Sequence, residues 1–148
     1  MNREELLNHL GKEVGVLRTL VLKAAFEKID RVDFVSPAYQ AEAYGDYPLP
    51  IGFGQTISQP FTAAFMLELL EPRKGDKVLD VGSGSGWTTA LLANLVGETG
   101  KVFGVEIIPE LVEFGQKNLA KYDFTNAEIQ QAGAELGLSG RCAGEDLQ

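Results

Sequence analysis

Lys77-Val78-Leu79-Asp80-Val81-Gly82-Ser83-Gly84-Ser85-Gly86 is the stretch whose reading decides the fold. Its first half is apolar and β-branched around one acid, which predicts a short parallel strand buried on both faces. Glycines then alternate, and Trp87-Thr88-Thr89-Ala90-Leu91-Leu92-Ala93-Asn94-Leu95 has the composition and spacing of a helix. A strand, a glycine turn and a helix let backbone approach a nucleotide-like ligand closely. A Cβ in that turn would block the approach or forbid the required φ.

The next apolar run, Lys101-Val102-Phe103-Gly104-Val105-Glu106, reads as a second strand ending on an acid twenty residues after Gly86. A carboxylate at that tip can accept hydrogen bonds from both hydroxyls of a ribose. The glycine spacing narrows the ligand. A dinucleotide turn needs G-x-G-x-x-G, but Trp87 or Thr89 stands where its third glycine would fall. The pattern from Asp80 to Gly86 is acid-x-G-x-G-x-G. It resembles the first motif of the class I S-adenosylmethionine-dependent methyltransferases. A glycine-rich turn without a ligand is the alternative, and the acid at Glu106 weighs against it.

Upstream, Leu6, Leu7, Leu10, Val14, Leu17, Val21, Ala24, Ala25 and Ile29 recur at helical steps. Gly11 and Gly15 interrupt them, so two short helices fit as well as one. His9, with nothing near it in sequence to tune it, reads as a surface residue. Residues 31–60 are turn-rich, aromatic and without clear periodicity, the composition of a long functional loop. Pro60 then suits the first turn of a helix running through Leu70, ended by Pro72 and Gly75. The N-terminus of that helix could favour an anion near Ser58, but local chemistry makes Ser58 or Gln59 a plain cap. Downstream, Pro109 opens a further amphipathic helix, and Asn126–Ala132 reads as a third strand.

Composition sets outer limits. The 148 residues suffice for one domain, and 45% hydrophobic content predicts a packed core. A net charge of −8 argues against affinity for nucleic acid or anionic membrane. One cysteine, Cys142, and one histidine exclude an internal disulfide and a zinc cluster, so no metal is expected. The charged N-terminus does not read as a signal peptide, and no apolar run approaches membrane-spanning length. A cytoplasmic setting is the expectation.

Two segments now stand in order: Gly52-Phe53-Gly54-Gln55-Thr56-Ile57-Ser58-Gln59-Pro60, then Val78 to Gly86. Together they resemble the protein-L-isoaspartate O-methyltransferase family, over the chain from its first helices to about Leu138. The resemblance implies protein repair: methyl transfer from S-adenosyl-L-methionine to the free α-carboxylate of an L-isoaspartyl residue. That carboxylate is ionised at neutral pH and needs no general base. By resemblance, Ser58 takes the family's active-site serine position and orients the substrate, with Thr56 as a second hydroxyl donor. Gln55, Ile57 and Gln59 are the implied substrate-binding neighbours. Asp80, Gly82, Ser83, Gly84, Ser85, Gly86 and Glu106 are the implied cofactor-binding residues. Where the family places an acid that reads adenine, within Gly-Asp-Gly, this chain has Gly133-Ala134-Glu135-Leu136-Gly137.

The implied fold is α/β, a Rossmann-like class I methyltransferase sheet whose seven strands run 3-2-1-4-5-7-6. This sequence supplies strands one to three. The expected organisation is N-terminal helices and substrate-side loop over 1–60, a partial cofactor-binding domain over 61–138 and an irregular tail over 139–148. Strand one becomes an edge, through which a homodimer could form. A truncated product, a short homologue and one part of a split enzyme are the three accounts of the missing strands. A non-catalytic methyltransferase-like binding or dimerisation module is the alternative function.

Overall fold

The computed structural model describes residues 1–133, and the expected tail, Cys142 and the Ala134–Glu135 position lie outside them. The chain forms two compact units, one over Met1–Glu71 and one from Pro72 onward.

In the first unit, α1 (Arg3–Asn8) begins with a reciprocal cap. Asn2 Oδ1 accepts from the Glu5 N–H, and Glu5 accepts from the Asn2 N–H. A π-helical turn over His9–Glu13 follows, and α2 runs Leu20–Lys28. The apolar pattern is therefore divided, with Gly15 at φ +66° in the break. The start of α2 is satisfied from far away. Glu68, buried on α3 (Pro60–Leu70), accepts from the N–H groups of Arg18 and Thr19 at 2.6 and 2.8 Å. Leu10, Leu17, Ile29, Phe34 and Ala64 fill the core of this unit.

Residues 31–60 are more ordered than their composition predicts. Two 3-10 turns, Arg31–Phe34 and Pro37–Glu42, precede an antiparallel hairpin of β1 (Leu49–Gly52) and β2 (Gln55–Ile57). The hairpin turn places Phe53 and Gly54 at φ +56° and +72°. Positive φ at both central residues is what a tight two-residue turn requires, and here a phenylalanine supplies one of them.

The second unit is a parallel sheet with helical crossovers. β3 (Lys77–Val81), α4 (Trp87–Val96), β4 (Lys101–Glu106), α5 (Pro109–Leu119) and β5 (Ala127–Gln131) follow in order, and the strands lie β3-β4-β5. This is the expected 3-2-1 half of a Rossmann-like sheet. The prediction that the first strand is buried on both faces fails for β3. Its residues are exposed or half-buried, and Val81 is 55% exposed. The physical reason is position: among the described residues β3 is an edge, whereas β4 is central and buried from Val102 to Glu106.

Candidate functional site

The glycine turn is held against β4 by backbone hydrogen bonds. The N–H groups of Gly82 and Ser83 both donate to Val105 O, at 2.8 and 3.1 Å. Gly82, Gly84 and Gly86 have φ of +74°, +51° and +86°, so each sits where a side chain is strained. At Gly86 space is also short, because a Cβ would lie 3.0 Å from Gly115 O. At Gly82 a Cβ would meet nothing within 4 Å, so that side of the turn is open.

Glu106 is placed at the end of β4 and is buried. Its Oε2 accepts from the Gly84 N–H at 3.0 Å, and its Oε1 accepts from Ile107 and Ile108 at 2.9 and 3.2 Å. The acid therefore ties the turn to the start of α5. A carboxylate has about four lone-pair sites, and the turn and helix use three. Asp80 accepts from Thr89 Oγ at 2.7 Å. Burial first, and the nearby Glu106 charge after it, push the Asp80 carboxyl up to about 6, against the pull of that hydrogen bond. Ser85 presents its carbonyl to Asn118 Nδ2 at 2.9 Å. Ser83 Oγ is buried with no hydrogen-bond partner among the described residues. Asp80, Ser83, Ser85, the three glycines and Glu106 are thus brought into one cluster.

Thr89 and Asn118 belong to this cluster and were not singled out by sequence. Each is a buried polar residue on an otherwise apolar helix face, and that is the one signal that could have found them.

Gln55, Thr56, Ile57, Ser58 and Gln59 belong to the first unit, on β2 and the link to α3. The side chains of Gln55, Thr56 and Ser58 are exposed, Ile57 is buried, and Gln59 is half-buried. The plain-cap expectation for Ser58 or Gln59 is corrected. Gln59 is the N-cap residue but makes no side-chain cap bond. Asp46 Oδ1 accepts from the Phe61 N–H at 2.9 Å instead. The anion at this helix N-terminus is thus the chain's own carboxylate. Asp46 also corrects the reading of His9. Far from standing alone, His9 contacts Asp46 through Nε2 at 3.1 Å and Glu13 through Nδ1 at 2.9 Å. The Glu13 hydrogen bond, and Asp46 with it, raise the imidazole pKa against partial desolvation.

The family model for protein-L-isoaspartate(D-aspartate) O-methyltransferase matches residues 1–142. The chain belongs to the protein-L-isoaspartate O-methyltransferase family. It is 46% identical, over 86% of its length and 57% of the other's, to protein-L-isoaspartate O-methyltransferase 2 of Archaeoglobus fulgidus. It is 50% identical to the family member of Aeropyrum pernix, over 72% of this chain and 41% of that one. A Plasmodium falciparum structure described as a protein-L-isoaspartate O-methyltransferase with S-adenosyl-L-homocysteine superposes with a TM-score of 0.77. It is 28% identical, and the match covers 88% of this chain and 62% of that one. The chain thus spans roughly half the length of the curated family members it matches. Among the described residues no group of three or more His, Cys, Asp or Glu is arranged to hold a metal ion. No helix among them is long and apolar enough to cross a membrane.

Proposed function

We propose that this chain carries the cofactor-holding and carboxylate-steering parts of a protein-L-isoaspartate O-methyltransferase, acting on isoaspartyl peptides and proteins in the cytoplasm. The observation that carries the reading is the Glu106 carboxylate, locked at the tip of β4 against the Gly84 N–H with acceptor capacity to spare. The residues present fit S-adenosyl-L-methionine. The open side of Gly82 admits a ligand without displacing a side chain, and the unpartnered Ser83 hydroxyl is a polar group left over by the fold.

On this reading Gly82, Gly84 and Gly86 line the cofactor's amino-acid and ribose end, and Glu106 receives the ribose hydroxyls. Ser85 completes the turn that Asn118 fixes. Asp80, with Thr89 holding one oxygen, supports the turn or meets the cofactor's amino group through water. When bound, the cofactor supplies an activated sulfonium methyl group. Ser58 and Thr56 offer neutral hydroxyl donors to the acceptor carboxylate, with Gln55, Ile57 and Gln59 shaping the approach. Neutral donors strip water from the anion without pairing it so tightly that it ceases to be a nucleophile. No proton need be removed, because the acceptor carboxyl is ionised well below neutral pH.

The same reading divides labour along the chain: substrate-side residues over 1–60 and cofactor-side residues over 61–138. Among the described residues no strand pairs with the outer edge of β3, which supports pairing with a second copy; sedimentation would register a dimer. Calorimetry tests the core of the proposal. S-Adenosylhomocysteine should bind, and Glu106→Ala should cut that affinity by about tenfold or more. Equal affinity in the variant removes the ribose role and with it the observation on which the function stands.

A further inference from the structure

Arg31 is the least expected residue of the first unit. It opens a 3-10 turn, yet it is only 3% exposed. Its guanidinium collects backbone carbonyls from two distant stretches. Nη1 donates to Ala43 O and Gly45 O at 2.8 and 3.3 Å, and Nη2 donates to Tyr47 O and Ser58 O, both at 3.0 Å. Burying a guanidinium is costly, and burial lowers its pKa to about 10. Four carbonyls in a rigid fork offset that cost and fix the 43–47 turn against residue 58.

Asp46 sits in the middle of the collected turn. Its side chain accepts from the Phe61 N–H at 2.9 Å, and its backbone O accepts from Gln59 Nε2 at 3.0 Å. Residues 58–61 are therefore held at three points: the Ser58 carbonyl, the Gln59 side chain and the Phe61 amide. None of the three uses the Ser58 hydroxyl. Ser58 stands one residue before the N-cap, Gln59, whose side chain makes no cap bond. Here a carboxylate twelve residues upstream does the capping. The Ser58 side chain is exposed and enters no hydrogen bond among the described residues.

We propose that Arg31 and Asp46 are positioning residues that fix the backbone on both sides of Ser58 and so hold its uncommitted hydroxyl where it can meet an acceptor carboxylate. The inference rests on the proposed role of Ser58 and goes beyond it. Neither positioning residue touches substrate; each acts through the peptide groups flanking Ser58.

The test uses the whole chain and four variants: Asp46→Ala, Asp46→Asn, Arg31→Lys and Ser58→Ala. Amide exchange is followed by NMR, and affinity for a short isoaspartyl peptide by calorimetry with S-adenosylhomocysteine present. Asp46→Ala should speed exchange of the Phe61 amide at least about tenfold and weaken peptide binding by a similar factor. Amides of Val102 to Val105 and the affinity for S-adenosylhomocysteine should stay within about twofold. Asp46→Asn keeps a carbonyl acceptor for Phe61, so it should restore both readouts to within about threefold of the parent. Arg31→Lys, which keeps charge but loses the fork, should weaken the peptide with little change in exchange over β4. If Ser58→Ala weakens the peptide while Asp46→Ala and Arg31→Lys do not, the positioning inference is overturned and the function stands. If Ser58→Ala changes nothing, or the parent binds no peptide, the functional reading fails and this inference with it.

Discussion

Gly86→Ala and Gly82→Ala make a matched pair that isolates crowding from backbone strain. Both glycines have positive φ, +86° and +74°. A Cβ in that region costs about 1–2 kcal/mol, and the reduced freedom of the unfolded chain returns about 0.4–1 kcal/mol. These two effects are common to the pair and cancel in the difference. The surroundings differ. At Gly82 the new methyl meets nothing within 4 Å; at Gly86 it lies 3.0 Å from Gly115 O and 3.2 Å from Ile129 Cδ1. Gly115 O is backbone, and α5 cannot yield without disturbing the Asn118–Ser85 bond on its next turn. Overpacking of this kind costs about 1–3 kcal/mol. Gly86→Ala should therefore be less stable than Gly82→Ala by that amount, a difference of about 0.3–3 M in urea midpoint at an m-value of about 1–3 kcal/mol/M. Trp87 is the chain's single tryptophan, buried at the start of α4, so its fluorescence reports on this unit alone. Equal midpoints for the two variants would refute the contact between the turn and α5 as the reason position 86 is glycine.

Asp80→Asn should stabilise the second unit at pH 8 and flatten its pH profile. With a folded pKa of about 6, above the unfolded value, the neutral form contributes stability below pH ~4 that is lost as pH rises through 6, at most about 2–3 kcal/mol. Asparagine keeps an acceptor for Thr89 and removes the charge; urea midpoints at pH 4 and pH 8 read the result. His9 works in the same direction in the first unit. Its raised pKa means that the doubly donating imidazolium is favoured in the folded state. That stability is complete below the unfolded value and lost as pH rises through the folded one, so His9→Gln should abolish a decline seen as pH rises past the free imidazole value of about 6.5. Glu68→Ala leaves the Arg18 and Thr19 N–H groups without their carboxylate and should cost about 2–4 kcal/mol. Exchange of those two amides should accelerate, and silence there would dismiss the cap.

How much of this was legible depends on how local the cause is. The second unit reads directly because each element carries its own pattern: apolar strands, a glycine turn, helices opened by Gly86 and Pro109. Its strand order follows from the alternation of strand and helix. Only burial was misjudged, because Val78-Leu79-Asp80-Val81 looks the same in a central strand and at an edge. The segment 31–60 did not read, for two physical reasons. The hairpin turn lacks the Asn-Gly or Asp-Gly signature and puts Phe53 at positive φ, while Pro50 argues against a strand in β1. The rest of the segment is held by side chains reaching far along the chain, and no local periodicity records them.

Those long reaches share one chemistry, and it explains why the two candidate clusters are built as they are. Glu106, Asp46, Glu68 and Arg31 are all acidic or basic side chains spent on backbone groups, at turns or helix starts where the ladder of a sheet or helix leaves peptide groups unpaired. At a helix start a local Ser, Thr or Asn ordinarily does this. Using a distant charge instead leaves nearby small polar residues uncommitted: the Ser83 hydroxyl beside Glu106, and the Ser58 hydroxyl beside Asp46. Each cluster thus pairs a rigid, charge-braced backbone with a hydroxyl the fold does not consume. Rigidity of that kind keeps donors in place without reorganisation when charge arrives, which is what the proposed steering of a carboxylate toward a methyl group demands.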